Sequence, residues 1–143
     1  MPKSTSTCNS IINLMYRATA WANVADNASS SPFTNTYVSL HTASPGTGNN
    51  QTTNETAYTN YARQAVARST GWDAASGGAT ANAASISFPQ CGASGATLTD
   101  VAIGTTLASA GTVWHYGSLN SSLAVSSGIT PQFAAGALTI TES

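Results

Sequence analysis

The stretch YVSLHTASPGTGNNQTTNETAYTNYARQAVARSTGW, residues 37–72, decides the fold. In residues 37–41 apolar and polar side chains alternate, which places Val38 and Leu40 on one face and His41 on the other. Alternation with a period of two is typical of a half-buried β-strand. The sequence therefore predicts a strand over residues 37–41, with His41 on its outer face.

A polar loop follows this strand. Ser44-Pro45-Gly46 is strong turn chemistry, because proline presets φ and glycine supplies a positive φ. Residues 44–57 hold one charged residue, Glu55, and a second strand is predicted over residues 58–68. A polar loop of this length in a small domain is usually functional or mobile. We expect strands to hold the loop at both ends while it projects towards a partner.

The composition narrows the class of protein. Ala, Ser, Thr and Gly make up more than half of the 143 residues, and charged residues make up only 6%. Ordinary soluble domains carry about a quarter charged residues. The basic residues are few, which argues against binding to nucleic acid or to an anionic membrane. They are Lys3, Arg17, Arg63 and Arg68.

The sequence also bears on cellular location and on the cysteines. No apolar run approaches the ~20 residues of a membrane span, and the first residues, MPKSTSTC, are not typical of a secretory signal. We therefore expect the protein to be made and assembled in a reducing cytoplasm. In that setting Cys8 and Cys91 are predicted to be free thiols, with later bridging as the alternative.

The remaining chain predicts one helix followed by strands. Ile11, Leu14, Met15 and Ala18 recur at helical spacing, which indicates a short amphipathic helix that either packs on its own domain or docks on a neighbouring subunit. Short alternating segments separated by Gly, Pro, Ser and Asn follow. The predicted fold is mainly β, an antiparallel β-sandwich or small barrel with one short N-terminal helix.

The predicted domain organisation has two parts. Residues 1–36 form an N-terminal arm with the short helix and a loop, and residues 37–143 form the β-sandwich domain. Eight residues are predicted to form the core: Leu40, Val66, Ile86, Phe88, Val101, Ile103, Leu138 and Ile140.

Catalytic and cofactor motifs are absent from the sequence. The two histidines, His41 and His115, and the five scattered acids form no metal-ligand spacing, and no P-loop, dinucleotide fingerprint or G-x-S-x-G elbow occurs. We predict that the protein is not an enzyme and binds neither a cofactor nor a metal.

The large aromatic side chains and two arginines allow two interpretations each. The aromatic residues either fill a core that is otherwise built from small residues or stack on sugars; the core is favoured. They are Tyr58, Tyr61, Trp72, Trp114 and Tyr116. Arg63 and Arg68 flank Val66, and either line an exposed sheet edge or pair with a carboxylate of a neighbouring subunit.

Several segments resemble one family of proteins. The patterns are N-x-Y-V-S-L-H-T-A-S-P-G, Q-T-T-N-E-x-A-Y-x-x-Y-A-R-x-A-V-A-R, G-W, I-S-F-P-x-C and L-A-V-S-S-G-I-T-P-x-F-A-A-G-A-L-T-I-T-E. Together, over residues 21–142, they resemble small virion proteins of tailed bacteriophages, commonly labelled tail-fibre proteins. Phage proteins of this size also serve as capsid cement or decoration proteins, often as trimers. The resemblance implies a particle component and supplies no catalytic residues.

We therefore predict a non-enzymatic virion protein, in first place a capsid cement protein that binds the major capsid protein as a homo-oligomer, with a trimer favoured. The alternatives are a tail-fibre or tail-tip component and a carbohydrate-binding module for host attachment. Eight residues are predicted to contact partners: Tyr16, Arg17, Pro45, Asn49, Asn50, Glu55, Arg63 and Arg68.

Overall fold

The computed structural model describes residues 5–21, 33–48 and 50–142. One helix and eight strands lie in these ranges: α1 (Thr5–Tyr16), β1 (Asn35–His41), β2 (Gln64–Ala67), β3 (Ala79–Ala81), β4 (Ile86–Ser87), β5 (Ala96–Gly104), β6 (Val113–Val125), β7 (Gln132–Phe133) and β8 (Thr139–Thr141). The prediction of a mainly-β fold with one short N-terminal helix is confirmed.

The strands form three sheets. The largest has the order β2-β1-β5-β6, and β3 pairs with β8 and β4 with β7. The pairs β1–β5, β5–β6 and β3–β8 are antiparallel. None of the sheets in the described part of the chain closes into a barrel, so of the two predicted arrangements the sandwich remains.

The chain divides into two compact units, each made of separate segments. The first unit comprises residues 1–35, 66–86 and 133–143, and the second comprises residues 36–65 and 87–132. The division into an arm and a sandwich domain at residue 36 stays a prediction.

In the first unit, helix α1 packs on its own chain. Cys8, Ile12 and Tyr16 are buried, and their spacing of four residues places them on one face of the helix. The Tyr16 ring meets the buried Trp72 edge-on, with 4.8 Å between ring centroids. Of the two interpretations of the helix, packing on its own domain is the one observed.

Polar contacts fix this helix along one side and at its C-terminus. Asn9 Oδ1 accepts a hydrogen bond of 2.7 Å from the backbone N of Gly78, and Asn13 Oδ1 accepts one of 3.2 Å from Ala75. The Arg68 guanidinium donates to the carbonyl oxygens of Leu14 and Met15. These carbonyls belong to the last turn of α1, where intrahelical donors are lacking. Arg68 therefore caps the C-terminus of the helix.

In the second unit, β1 is covered on both faces. Val38 and Leu40 are buried as predicted, but so are Ser39 and His41, which is 0% exposed. The prediction that His41 lies on an outer face is therefore wrong. The physical reason is that the loop after β1 folds back onto this face: Gln51, itself fully buried, donates through Nε2 to the Tyr37 carbonyl at 3.0 Å.

The second predicted strand is much shorter than expected. Strand β2 begins at Gln64, whereas the alternation in the sequence starts at Tyr58. Between them the chain turns: Tyr61 N donates to the Tyr58 carbonyl at 2.9 Å, and Asn60 has a φ of 77°. Asparagine tolerates this left-handed conformation better than most residues. Because of this turn, Tyr58 and Tyr61 point towards the interior although neither residue belongs to a strand.

The predicted core and thiols agree with the structure. All eight predicted core residues, among them Ile103 and Phe88, are buried. Cys8 and Cys91 are free and buried, at 3% and 2% exposure.

Candidate functional site: a buried polar cluster and an exposed edge strand

Glu55 and Arg63 form an ion pair inside the second unit. Arg63 Nε lies 2.7 Å from Glu55 Oε1, and Arg63 Nη2 lies 2.7 Å from Oε2. This is the two-pronged geometry that the planar guanidinium allows. The arginine is only 5% exposed, so the pair has little screening by solvent. Within this chain the two residues pair with each other. Contact of either residue with a partner protein stays a prediction.

The remaining Arg63 donors reach the loop between β5 and β6. Nη1 donates to the Thr106 carbonyl and Nη2 to the Ser109 carbonyl, each at 2.9 Å. One buried cation thus joins the loop after β1 to the loop after β5. The guanidinium is satisfied on several sides, which is the condition under which a buried charge is tolerated.

Tyr61 links the ion pair to strand β1. Its hydroxyl donates to Glu55 Oε1 at 2.8 Å and accepts from the backbone N of Leu40 at 3.1 Å. Burial raises the pKa of the Tyr61 phenol above its ordinary value. The phenol therefore stays protonated and keeps its role as the donor to the carboxylate.

Gln51 occupies the centre of this arrangement. Its backbone N donates to the Ala110 carbonyl at 2.7 Å, and its side chain reaches the Tyr37 carbonyl. A Cβ placed on Gly104 would lie 2.3 Å from Gln51 Cδ, so glycine is needed there for the glutamine to fit. We call Ser39, His41, Gln51, Glu55, Tyr61 and Arg63 the polar cluster.

His41 completes the polar cluster. Its Nδ1 lies 2.9 Å from the Thr53 carbonyl and its Nε2 lies 2.9 Å from Ser39 Oγ. A carbonyl can only accept, so Nδ1 carries the proton and Nε2 accepts from the serine hydroxyl. Burial lowers the pKa of the His41 imidazole. A serine hydroxyl beside a histidine is also found in hydrolases, but here both residues are fully buried, so a substrate cannot reach Oγ.

The other residues predicted to contact partners lie apart from the polar cluster. Tyr16 is buried in the first unit, and Arg17 donates to the Trp72 carbonyl there at 2.7 Å. Arg68 caps α1, which excludes the interpretation of an exposed sheet edge at this residue. Contact of these residues with a partner stays a prediction.

Two predicted partner residues lie in the loop after β1, and one cannot be placed. Pro45 is buried, and Asn50 Oδ1 accepts from the backbone N of Thr52 at 2.9 Å. Asn49 lies outside the described residues.

Sequence reasoning missed Gln51 and Tyr61 as members of the polar cluster. The signal was their position in the same distinctive segments as Glu55 and Arg63.

A second feature of this unit is the edge strand β6. It ends the order β2-β1-β5-β6, so only its side towards β5 is paired in that sheet. It is 13 residues long, contains no Lys, Arg, Asp, Glu or Pro, and buries only Val125. Natural edge strands are usually protected by charge, proline, short length or a bulge.

Two register shifts interrupt the pairing of β6 with β5, one between Leu98 and Asp100 and one between Ile103 and Gly104. Leu98 pairs with Leu123 and Asp100 with Ser118, so residues 119–122 stand opposite Thr99 alone. From Ser118 back to His115 the pairing with β5 is regular. On this regular part the Tyr116 side chain is 44% exposed. The regular part, residues 115–118, therefore contains no Lys, Arg, Asp or Glu and has one large exposed side chain, that of Tyr116.

Two other features are absent from the described ranges, a metal-binding cluster and a membrane-spanning helix. There, no three His, Cys, Asp or Glu side chains are grouped so that they could hold a metal ion. In the same ranges, no helix is long and apolar enough to cross a membrane.

The fold and these two features define a small mainly-β protein whose distinctive polar residues hold its own loops in place. A protein-family model described as podophage GP4 fiber I protein gp80 matches residues 2–141. The match extends over nearly the whole chain, and the chain belongs to this family of phage fibre proteins, a class of virion structural protein. The resemblance to small tailed-phage virion proteins is thereby confirmed. No curated protein matches the chain.

Proposed function

We propose that the protein is a non-enzymatic building block of a phage fibre, and that it acts by binding other virion proteins and further copies of itself. The observation that carries this proposal is the family match over residues 2–141. The structure is in keeping with it, because the Ser39–His41 pair is fully buried and the Glu55–Arg63 ion pair is internal.

The capsid-cement hypothesis is the second candidate. Its support is the low-charge surface rich in small side chains, which suits close packing between subunits in a repeated shell. In that case the partner is the major capsid protein. The trimeric state implied by the resemblance stays a prediction in either case.

Attachment to a carbohydrate of the host has weaker support. Trp72 is fully buried beside Tyr16 and cannot offer its face to a sugar. Tyr116 and Phe33 are exposed aromatic side chains of the described residues that could stack on a sugar. Loss of glycan binding on Tyr116→Ala, without loss of association with particles, would support this role.

Labelling of intact particles distinguishes the two virion locations. Antibodies raised against the purified protein and coupled to gold are expected to label fibres seen by electron microscopy. The amount of protein per particle, measured against the major capsid protein on a quantitative gel, should be far below one copy per capsid subunit. Label over the whole shell with near-stoichiometric amounts would contradict the fibre assignment and support the cement role.

A further inference from the structure

Ser39 and His41 have the geometry of an activated hydroxyl, although both side chains are fully buried. Ser39 Oγ lies 2.9 Å from His41 Nε2, and His41 Nδ1 lies 2.9 Å from the Thr53 carbonyl. Because Nδ1 carries the proton, Nε2 is able to accept the proton of the serine hydroxyl. Ser39 Oγ can also donate to the Ala102 carbonyl, at the longer distance of 3.3 Å. A nucleophile enclosed in this way can react only with a group of its own chain.

The side-chain amide of Gln51 is an acyl group within reach of this hydroxyl. Its Nε2 lies 3.4 Å from Ser39 Oγ, and the carbonyl carbon Cδ is one bond further. Nε2 also donates to the Tyr37 carbonyl at 3.0 Å, which fixes the orientation of the amide. Like Ser39, Gln51 is 0% exposed. Groups held next to each other in this way react much faster than the same groups free in solution.

Two donors converge on the oxygen of the same amide. Arg63 Nη1 and the backbone N of Thr106 each lie 3.4 Å from Gln51 Oε1. Donors aimed at a carbonyl oxygen stabilise the negative charge that it acquires when a nucleophile adds to the carbon. These contacts are long in the unreacted amide and should shorten as the charge develops. A nucleophile, a base, an acyl group and two oxyanion donors thus meet in one buried site.

We infer that Ser39 and Gln51 of the same chain become joined by an ester bond, with loss of ammonia from the glutamine amide. The reaction occurs once in each chain and needs no external substrate, so it is compatible with a protein that is not an enzyme. It goes beyond the proposed function, because it concerns a covalent modification of this chain.

The bonds and protons balance without an oxidant or a reductant. Ser39 Oγ adds to Gln51 Cδ while its proton passes to His41 Nε2, and the tetrahedral intermediate carries its negative charge on Oε1. Its collapse breaks the Cδ–Nε2 bond, and His41 returns the proton to the departing nitrogen, which leaves as ammonia. Ammonia is protonated at neutral pH and diffuses away, and the exclusion of water from the site protects the ester from hydrolysis.

The ester would fasten the loop after β1 to the strand itself. Ser39 lies within β1, and Gln51 lies in the loop that returns over it. A covalent bond between them closes the chain from residue 39 to residue 51 and restricts the unfolded chain, as a disulfide does.

Intact-mass spectrometry of the purified full chain, denatured in acid, tests the inference. The parent should have a mass about 17 Da below that of its sequence, which is the mass of ammonia. Ser39→Ala should have the full mass of its sequence, because the nucleophile is absent. Ser87→Ala is the matched control, since Ser87 is an exposed serine of β4, and it should show the same loss as the parent. A parent with the full mass of its sequence, or a loss that persists in Ser39→Ala, would overturn the inference.

Peptide mapping of the parent locates the bond and does not depend on the folding of any variant. Chymotrypsin cleaves after Leu40, between the two joined residues, so the pieces that carry Ser39 and Gln51 should remain one species. Mild alkali should separate them and leave a glutamate in place of Gln51. Ring closure at an asparagine also releases ammonia, but the two pieces would then separate without alkali, and that result would refute the ester.

The role of His41 is tested by the rate of the reaction. Freshly purified His41→Asn should form the ester about tenfold or more slowly than the parent, because general-base catalysis is lost. The ester-linked fraction is followed by intact mass over time, and circular dichroism checks that the variant is folded. Equal fractions in a folded His41→Asn and the parent would overturn the assignment of the base. All these measurements use isolated protein, so their failure is distinguishable from a failure of the fibre assignment, which particle labelling tests.

Discussion

Arg63 is a buried cation that connects two loops of the second unit. Its two contacts with Glu55 and its bonds to the carbonyls of Thr106 and Ser109 join the segment between β1 and β2 to the loop between β5 and β6, more than 40 residues further along the chain. Removing one member of such a buried pair leaves the other charge without compensation, and that residual charge accounts for most of the cost.

We expect Arg63→Met to lower the free energy of unfolding by about 3–5 kcal/mol, because the Glu55 carboxylate then stays buried without its cation. Urea denaturation followed by circular dichroism measures this loss. The double variant Arg63→Met/Glu55→Gln should lose less than the two single variants together, since the pair acts as a unit. Asp73→Asn, at an exposed acid, is the control and should change little. Additive losses would show that the two side chains are not coupled.

The buried imidazole of His41 makes stability depend on pH. Burial lowers its pKa in the folded state below the ordinary value of 6.5, so the unfolded chain binds a proton first as the pH falls. The contribution of neutral His41 to the free energy of unfolding is therefore complete above pH 6.5. It is lost as the pH falls from 6.5 through the lowered pKa of the folded state. Denaturant titrations at a series of pH values should show this decline. His41→Asn should flatten the decline in that window, and an unchanged slope would contradict the assignment.

Helix α1 depends on one long-range cap. Arg68 donates to the carbonyls of Leu14 and Met15 in the last turn and, at 2.7 Å, to the Phe33 carbonyl. A cation at this end of a helix also interacts favourably with the helix dipole. The helix has 12 residues, a length at which isolated helices are marginal in water. Its stability therefore comes from the cap and from its buried face.

Replacing the cap should release the helix before the sheets unfold. Arg68→Lys keeps the charge but loses the planar fork, and should cost about 1–3 kcal/mol at this site. Limited trypsin digestion measures the release of the helix, because Arg17 immediately follows α1 and the chain should be cleaved there faster in the variant. Arg17→Lys is the matched control, since an ammonium can still donate to the Trp72 carbonyl and still marks a trypsin site. Equal cleavage rates in both variants would argue against the capping role.

For the whole molecule, the two thiols lie in different units and form no bridge. The melting temperature should therefore be the same with and without reductant, because no disulfide loop closure contributes to stability. Differential scanning calorimetry of the parent and of a Cys8→Ser/Cys91→Ala variant, each with and without reductant, makes the comparison. A fall on reduction in the parent alone would reveal a disulfide.

The sequence predicts those features that depend on local pattern. Leu40 and Ile103 are recognisable as core because alternation along a strand is a local property, and antiparallel pairing follows from short strands separated by turns. The burial of His41 depends on a loop that returns over its face, and the pairing of Glu55 with Arg63 depends on the turn at Asn60. Both are consequences of tertiary folding, for which no periodic signal exists in the chain. The edge position of β6 likewise appears only once the strand order is known.

The disposition of the few charges has a consequence for how the protein responds to its medium. Glu55 and Arg63 neutralise each other, Arg68 and Arg17 donate to carbonyls, and Asp100 is buried and accepts from the Thr99 and Ser118 hydroxyls. Dissolved ions screen charges that face water far more than charges enclosed by protein. The contribution of these enclosed charges to folding should therefore be similar in dilute fresh water and in concentrated brine, a tolerance suited to a particle that must persist outside its host.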